Sequence, residues 1–310
     1  MTMLLEQMTA LTYRFPADHL HRIDLPYRFS SGALDEPANV AVWGEAGRPD
    51  TGGPDMNVRV TGTHAGSPLR AWAVLQAPFW TIDCTCDPAA EEELFPRILA
   101  WGERRAREVQ GTPHERPAWF VNVFASQSGR RRALEAAGWA DQADVGEDSW
   151  SKVWLRRAAG DPLPAGALPT GYVVRPLAGA GEVPAYVELH RAVFQSKTMT
   201  SEWRARTLRH PAYRPDLDLL AIAPDGRPAG FCILWLDGAT GQVEPLGVHA
   251  DYRRLGLGQA LLAEGLRRLH AAGAREIYVE TDNYRDAALL TYEAAGFQVV
   301  EQVLVYRKDV

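Results

Sequence analysis

Residues 119–139, WFVNVFASQSGRRRALEAAGW, lie over residues 277–297, IYVETDNYRDAALLTYEAAGF, without a gap. Each copy reads as an apolar strand, a polar turn, a helix, and then Glu-Ala-Ala-Gly followed by an aromatic residue. Upstream, residues 71–83 and a helical stretch over 89–109 fall where a strand meander and a long helix precede the second copy. An internal repeat of this kind points to a tandem duplication rather than one undivided core. The other reading is two unrelated α/β halves that share a strand-helix ending. With 310 residues and 46% hydrophobic content, the chain has enough apolar material for two cores of ordinary size.

Residues 158–170, AAGDPLPAGALPT, are poor in anything that sustains a helix or a central strand and read as a linker. The expected division is therefore 1–157, a linker at 158–170, and 171–310. In the second half, residues 171–176 read as a first strand and 181–209 as two amphipathic helices around a polar turn. Strands at 218–223 and 228–236 flank the turn Pro224-Asp225-Gly226. A third strand follows at 241–248, then a helix over 256–272 with Leu257, Leu261, Leu262, Leu266 and Leu269 on one face, ending at Gly273. Strand 276–280, helix 285–295 and strand 299–306 complete the unit. In the first half, Trp72, Trp80, Trp101 and Trp119 are expected in the core.

The net charge of -6 and pI near 5.8 provide no global attraction to nucleic acid or to an anionic membrane. The N-terminal stretch lacks the basic leader and apolar length of a signal peptide, and no membrane span is expected. Of the three cysteines, Cys84 and Cys86 have no second Cys/His pair at metal-ligand spacing, and Cys232 sits in an apolar run. All three read as reduced and structural, no metal is expected, and a cytoplasmic location is the default.

The chemistry gathers at Leu246-Gly247-Val248-His249-Ala250-Asp251-Tyr252, which runs through Arg253-Arg254-Leu255-Gly256-Leu257-Gly258 into a helix beginning at Gln259. Here a strand feeds a glycine-containing turn that opens a helix. Converging backbone N–H groups and the positive end of the helix dipole make such a turn a diphosphate site. Gly256 and Gly258 let the phosphates approach the backbone, and Arg253 and Arg254 add positive charge. It is not the dinucleotide fingerprint, because Leu261 stands where the third glycine would be.

This string resembles the pyrophosphate-binding motif of the GNAT acyltransferase superfamily, and Asn283-Tyr284-Arg285-Asp286 and Tyr292-Glu293-Ala294-Ala295-Gly296-Phe297 resemble its later motifs. The resemblance implies an α/β (α+β) chain of tandem GNAT-like domains, each a mixed, mostly antiparallel sheet flanked by helices. It implies acetyl-CoA, or another acyl-CoA, as co-substrate, held by Leu246, Gly247, Val248, Arg253, Arg254, Leu255, Gly256, Leu257, Gly258, Gln259 and Asn283. The pantetheine arm would pair with Leu246 and Val248 between splayed strands, which brings much of the rate gain through proximity. A backbone N–H near Gly247 or Val248 would hold the oxyanion.

An alkylamine is protonated at neutral pH, so a base must take its proton. Glu244 is the candidate base. Many family members carry a Glu two residues earlier, where this chain has Gln242, on the same strand face by the period of two. Glu244 also reads as no more than a residue at a strand exit beside Pro245. Tyr292 resembles the family's proton donor to the departing thiolate, or is a core aromatic. Asn283 resembles a residue that contacts the CoA arm, or caps the next helix. His249 leads away from the pairing stretch and is not assigned a role.

The first half has Ala125 where the repeat places Asn283 and Leu134 where it places Tyr292, and its loop reads Cys-Thr-Cys-Asp-Pro-Ala-Ala-Glu-Glu at 84–92. It is expected to be a degenerate, non-catalytic copy that buries a face of the second half or shapes the acceptor pocket. Acetyl or small-acyl transfer to an amine by direct attack in a ternary complex is the expected activity. The competing function is a non-enzymatic acyl-CoA sensor or interaction module. A small-molecule amine is the expected acceptor, with a protein amine as the other, and no nucleic acid or membrane partner. A duplicated chain forms within itself the contact that single-domain relatives form as dimers, so a monomer is expected.

Overall fold

The computed structural model describes residues 2–15, 19–44, 59–61, 69–142, 151–164, 166–283 and 285–310. Tyr284 of the late motif and Ala165 of the expected linker lie outside the described residues. The chain forms two compact units: Met1–Ser151 together with Gln302–Val310, and Lys152–Glu301.

In chain order the first stretch carries α1 (Thr2–Arg14), α2 (Leu25–Phe29), β1 (Val40–Gly44), β2 (Arg59–Thr61), β3 (Leu69–Gln76), β4 (Thr81–Cys86), α3 (Glu91–Glu108), β5 (Ala118–Phe124), α4 (Ser128–Ala136) and β6 (Ala140–Asp141). The second carries β7 (Lys152–Ala158), β8 (Val173–Pro176), α5 (Val183–Phe194), α6 (Ser201–Arg209), β9 (Asp218–Ile222), β10 (Pro228–Asp237), β11 (Thr240–Val248), α7 (Leu257–Ala271), β12 (Glu276–Asp282), α8 (Asp286–Ala294) and β13 (Gln298–Asp309).

The first unit orders its strands β2-β1-β3-β4-β5-β13. Alternation along β3 sorts its side chains to two cores. Ala71, Ala73 and Leu75 meet Leu94, Phe95, Ile98 and Leu99 of α3, while Trp72 and Val74 meet Met8 and Leu11 of α1. Trp72, Trp101 and Trp119 are buried as expected, and Trp80 is partly buried against Ala118 and Phe120.

The second unit orders its strands β7-β12-β11-β10-β9-β8. The apolar face of α7 packs Leu261, Leu262, Leu266 and Leu269 against Leu234, Val243 and Ile277, each side chain contributing about 1.5–3 kcal/mol by burial. Gly273 ends α7 in the left-handed conformation (φ 99°), and Gly226 (φ 82°) closes the hairpin between β9 and β10, with its N–H donated to Ala223 O at 2.9 Å.

The closing strands differ from the division read from sequence. β7 follows the first repeat, yet pairs antiparallel with β12, from Glu276↔Ala158 to Asp282↔Lys152. The far half of β13 follows the second repeat, yet pairs with β5, from Val303↔Phe124 to Asp309↔Ala118. Each unit thus closes its sheet with a strand drawn from the other half of the chain. Both copies end in the same strand-helix pattern, so neither closing strand carries a local signal for which sheet it joins.

Candidate active site

β11 and β12 run parallel, but their register covers only Thr240↔Glu276, Gly241↔Ile277 and Gln242↔Tyr278. Beyond Gln242 the two strands part, and the splay expected from sequence is present. On its other edge β11 pairs with β10, with Leu234 opposite Val243 and Cys232 opposite Leu246, so Glu244 and Pro245 together oppose Ile233. This β-bulge resets the alternation. Gly241 and Val243 face α7, as do Leu246 and Val248 after the bulge, whereas Gly247 faces Phe231 and Val193. A Cβ on Gly247 would lie 2.6 Å from Val193 Cγ1 and 2.8 Å from Phe231 Cζ, so only glycine allows this approach.

The splay opens into a cleft of about 540 Å³. Leu246, Gly247, Val248, Arg253, Arg254, Gly256, Leu257, Gly258, Gln259 and Tyr292 all line it. Leu255 does not line it and is 43% exposed. Asn283 sits in the exposed turn after β12 and is also not among the lining residues, which resume at Arg285. It does not cap α8 either, since Arg285 holds the N-cap position without a side-chain cap. Sequence reading missed Phe194, Tyr252, Arg285 and Thr291, which line the same cleft.

Arg254 (φ 62°) and Gly256 (φ 79°) are both left-handed. Left-handed residues spaced in this way bring successive backbone N–H groups together, the arrangement that binds anions. Ala260 N–H donates to Gly256 O at 3.0 Å. The N–H groups of Leu257, Gly258 and Gln259 therefore precede the helical ladder and face outward with the positive end of the dipole. Arg253 donates through Nε to Val248 O at 3.3 Å, and neither Arg253 nor Arg254 forms an ion pair among the described residues. The loop presents unneutralised positive charge at the mouth of the cleft.

In the first unit the corresponding place is filled from within. α3 opens with Glu91, Glu92 and Glu93. Arg130, which the repeat sets over Ala288 of the cleft, is buried and pairs with Glu91 at 2.9 Å. Leu134, set over Tyr292, is fully buried. A carboxylate already occupies the helix N-terminus where a diphosphate would sit.

Behind the bulge lies a buried polar cluster. Arg204 of α6 and Asp218 at the start of β9 are both wholly buried and form an ion pair, and Tyr213 Oη donates to Asp218 Oδ2 at 2.7 Å. The Arg204 guanidinium lies 3.9 Å above the Tyr186 ring of α5. Tyr186 packs on Phe231 with centroids 5.2 Å apart, and His190 stacks on Phe231 at 5.7 Å. Burial, followed by the charges of Arg204 and Arg191, lowers His190 to about 4, so it is neutral at physiological pH. Asp218→Ala leaves a buried guanidinium without its counter-charge, and is expected to destabilise the fold by about 3–5 kcal/mol. Urea unfolding checks this, and a midpoint equal to the parent's would contradict it.

Burial pushes the Tyr292 phenol well above its ordinary value, with the charges of Cys232 and Glu244 adding to the rise. The same holds for Tyr186, where burial dominates and Glu244 contributes. The Glu244 carboxylate is thus felt at two phenols, one on α5 and one on α8. Burial pushes the Cys232 thiol up as well. Among the described residues no group of His, Cys, Asp or Glu is placed to hold a metal ion, and no helix is long and apolar enough to cross a membrane.

A splayed strand pair, a helix N-terminus with a glycine-arginine loop, and the Tyr292 phenol meet at this one cleft. The sequence profile of the Acetyltransferase (GNAT) family matches residues 184–297. A mycothiol acetyltransferase of Clavibacter michiganensis subsp. michiganensis is 35% identical over 290 residues, covering 91% of this chain and 83% of the relative. One from Kineococcus radiotolerans is 36% identical over 135 residues, 42% of this chain and 44% of that relative. A solved tandem GNAT protein from the clavulanic acid biosynthesis pathway, 17% identical, aligns over 79% of this chain and 81% of its own with a TM-score of 0.59, which shows a shared fold. The chain belongs to the GNAT acetyltransferase family.

Proposed function

We propose that the second unit binds acetyl-CoA in the splayed cleft and transfers the acetyl group to the amine of a small molecule by direct attack in a ternary complex. The cleft carries this reading: ten of the residues expected from sequence, Tyr292 included, converge on it. The diphosphate lies on the N–H groups of residues 257–259 with Arg253 and Arg254, and the pantetheine arm pairs with Leu246 and Val248. The thioester then rests beside Gly247, whose backbone, with that of Val248, holds the oxyanion. Asn283, from the turn after β12, reaches the arm only at its exposed end.

Glu244 takes the amine proton. Gln242, where many family members have a carboxylate, is buried and has no basic form at neutral pH, so the base lies two residues on, in the bulge. Tyr292 protonates the departing thiolate. The burial that raises the phenol also raises a thiolate set against it, so the proton passes between two groups pushed in the same direction. The first unit, 1–157 in the sequence reading, serves as a non-catalytic copy.

The similarity to mycothiol acetyltransferases makes the amine precursor of mycothiol the first acceptor to test. Thiol release from acetyl-CoA, with both substrates varied, is expected to give intersecting double-reciprocal lines. Parallel lines would require an acyl-enzyme, for which the buried Cys232, with its raised thiol, supplies no nucleophile.

A further inference from the structure

Beside Gly247 the cleft is walled by two side chains from the last turn of α5. Val193 and Phe194 both line the cleft and are only partly buried. Val193 Cγ1 stands 2.6 Å from where a Cβ on Gly247 would lie, and Phe231 Cζ 2.8 Å from it, so the space off this strand position is already filled. The wall is braced from behind. Tyr186, His190 and Phe194 recur every four residues along one face of α5. Phe194 packs on His190 with ring centroids 4.9 Å apart and on Phe231 at 5.8 Å. Arg191 Nε donates to Met199 O at 2.8 Å, which ties the end of the helix to the loop that follows. A packed block of this kind does not yield to one more methylene without forcing side chains from their preferred rotamers.

We propose that Val193 and Phe194 set the acyl length of the donor, admitting acetyl-CoA and excluding longer acyl thioesters. This rests on the thioester lying beside Gly247, as in the function proposed above. A thioester carbon carries three groups and is attacked on one face. Its oxygen meets the backbone at Gly247 and Val248, its sulfur lies toward Tyr292, and the amine arrives from the side of Glu244. The acyl carbon is left to face α5. There a methyl touches Val193 and Phe194, and a second carbon meets a wall that His190 and Phe231 hold in place. The selection works through shape alone and uses no charge or proton.

The test compares acetyl-CoA, propionyl-CoA and butyryl-CoA on the full chain, by thiol release at a fixed acceptor concentration and by calorimetric titration. For the parent, kcat/KM is expected to fall at least about tenfold from acetyl-CoA to propionyl-CoA and further to butyryl-CoA, the scale that one methylene commands in an apolar site. In Val193→Ala the propionyl-to-acetyl ratio should rise about tenfold, and Phe194→Leu should move it in the same direction. Each ratio is taken within one variant, so a general loss of activity or stability cancels. Titration needs no acceptor, and the affinities should follow the same order and the same shift, so it decides alone if the chosen amine is not turned over. A parent that takes butyryl-CoA as readily as acetyl-CoA, or a ratio unmoved in both variants, would overturn the proposal. No binding of acetyl-CoA by the folded parent would instead overturn the cofactor reading on which it rests.

Discussion

Glu244→Gln is expected to lower kcat by about 10²–10⁴ while leaving the affinity for acetyl-CoA within about twofold of the parent's. The amide is isosteric and keeps the bulge, whose Glu244 carbonyl accepts from Trp235 Nε1 at 2.9 Å. What is lost is the group that accepts the amine proton. Glu244 is not among the residues that line the cofactor cleft, so cofactor binding has no reason to change. A parallel measurement of kcat at high pH, where more of the acceptor amine is already neutral, should recover part of the loss. If kcat is unchanged, the base is elsewhere. If acetyl-CoA affinity falls with kcat, the residue has a structural role in β11.

The second large effect is on binding. Arg254→Glu with Gly256→Asp reverses one charge, adds another, and places a side chain on a left-handed residue (φ 79°) that glycine alone adopts without strain. The nearest atom to a Cβ at Gly256 is Ala167 O at 3.7 Å, an ordinary contact, so the fold itself should persist. Charge-assisted contacts to phosphate are each worth about 1.5–3 kcal/mol, so losing two and gaining repulsion weakens acetyl-CoA by more than about 100-fold.

Much of this site could be read before any coordinates, because its signals are local. The strand, the turn at residues 253–256 and the helix that follows are contiguous, and Gly256 and Gly258 mark where backbone must meet ligand. The absence of the matching motif residues from the first copy is equally legible in Leu134 and in the acidic start of α3. Three things were not. The exchange of β7 and the far half of β13 depends on pairing between distant segments with interchangeable patterns. The bulge at Glu244 and Pro245 breaks the period of two, on which Glu244, Leu246 and Val248 would share one face. The Tyr186, Arg204 and Asp218 cluster joins three elements whose sequences look ordinary, since a lone Arg on an amphipathic helix reads as a solvated face. Asn283, a motif match, sits in an exposed turn outside the lining of the cleft, which its local sequence does not reveal.

The most direct test of the central claim is calorimetric titration of the purified chain with acetyl-CoA, alongside the folded Arg254→Glu, Gly256→Asp variant. The account requires one equivalent bound by the parent, because the first unit's helix N-terminus is already taken by Glu91 and Arg130, and no measurable binding by the variant. Two equivalents, unchanged binding by the variant, or none by the folded parent would contradict it.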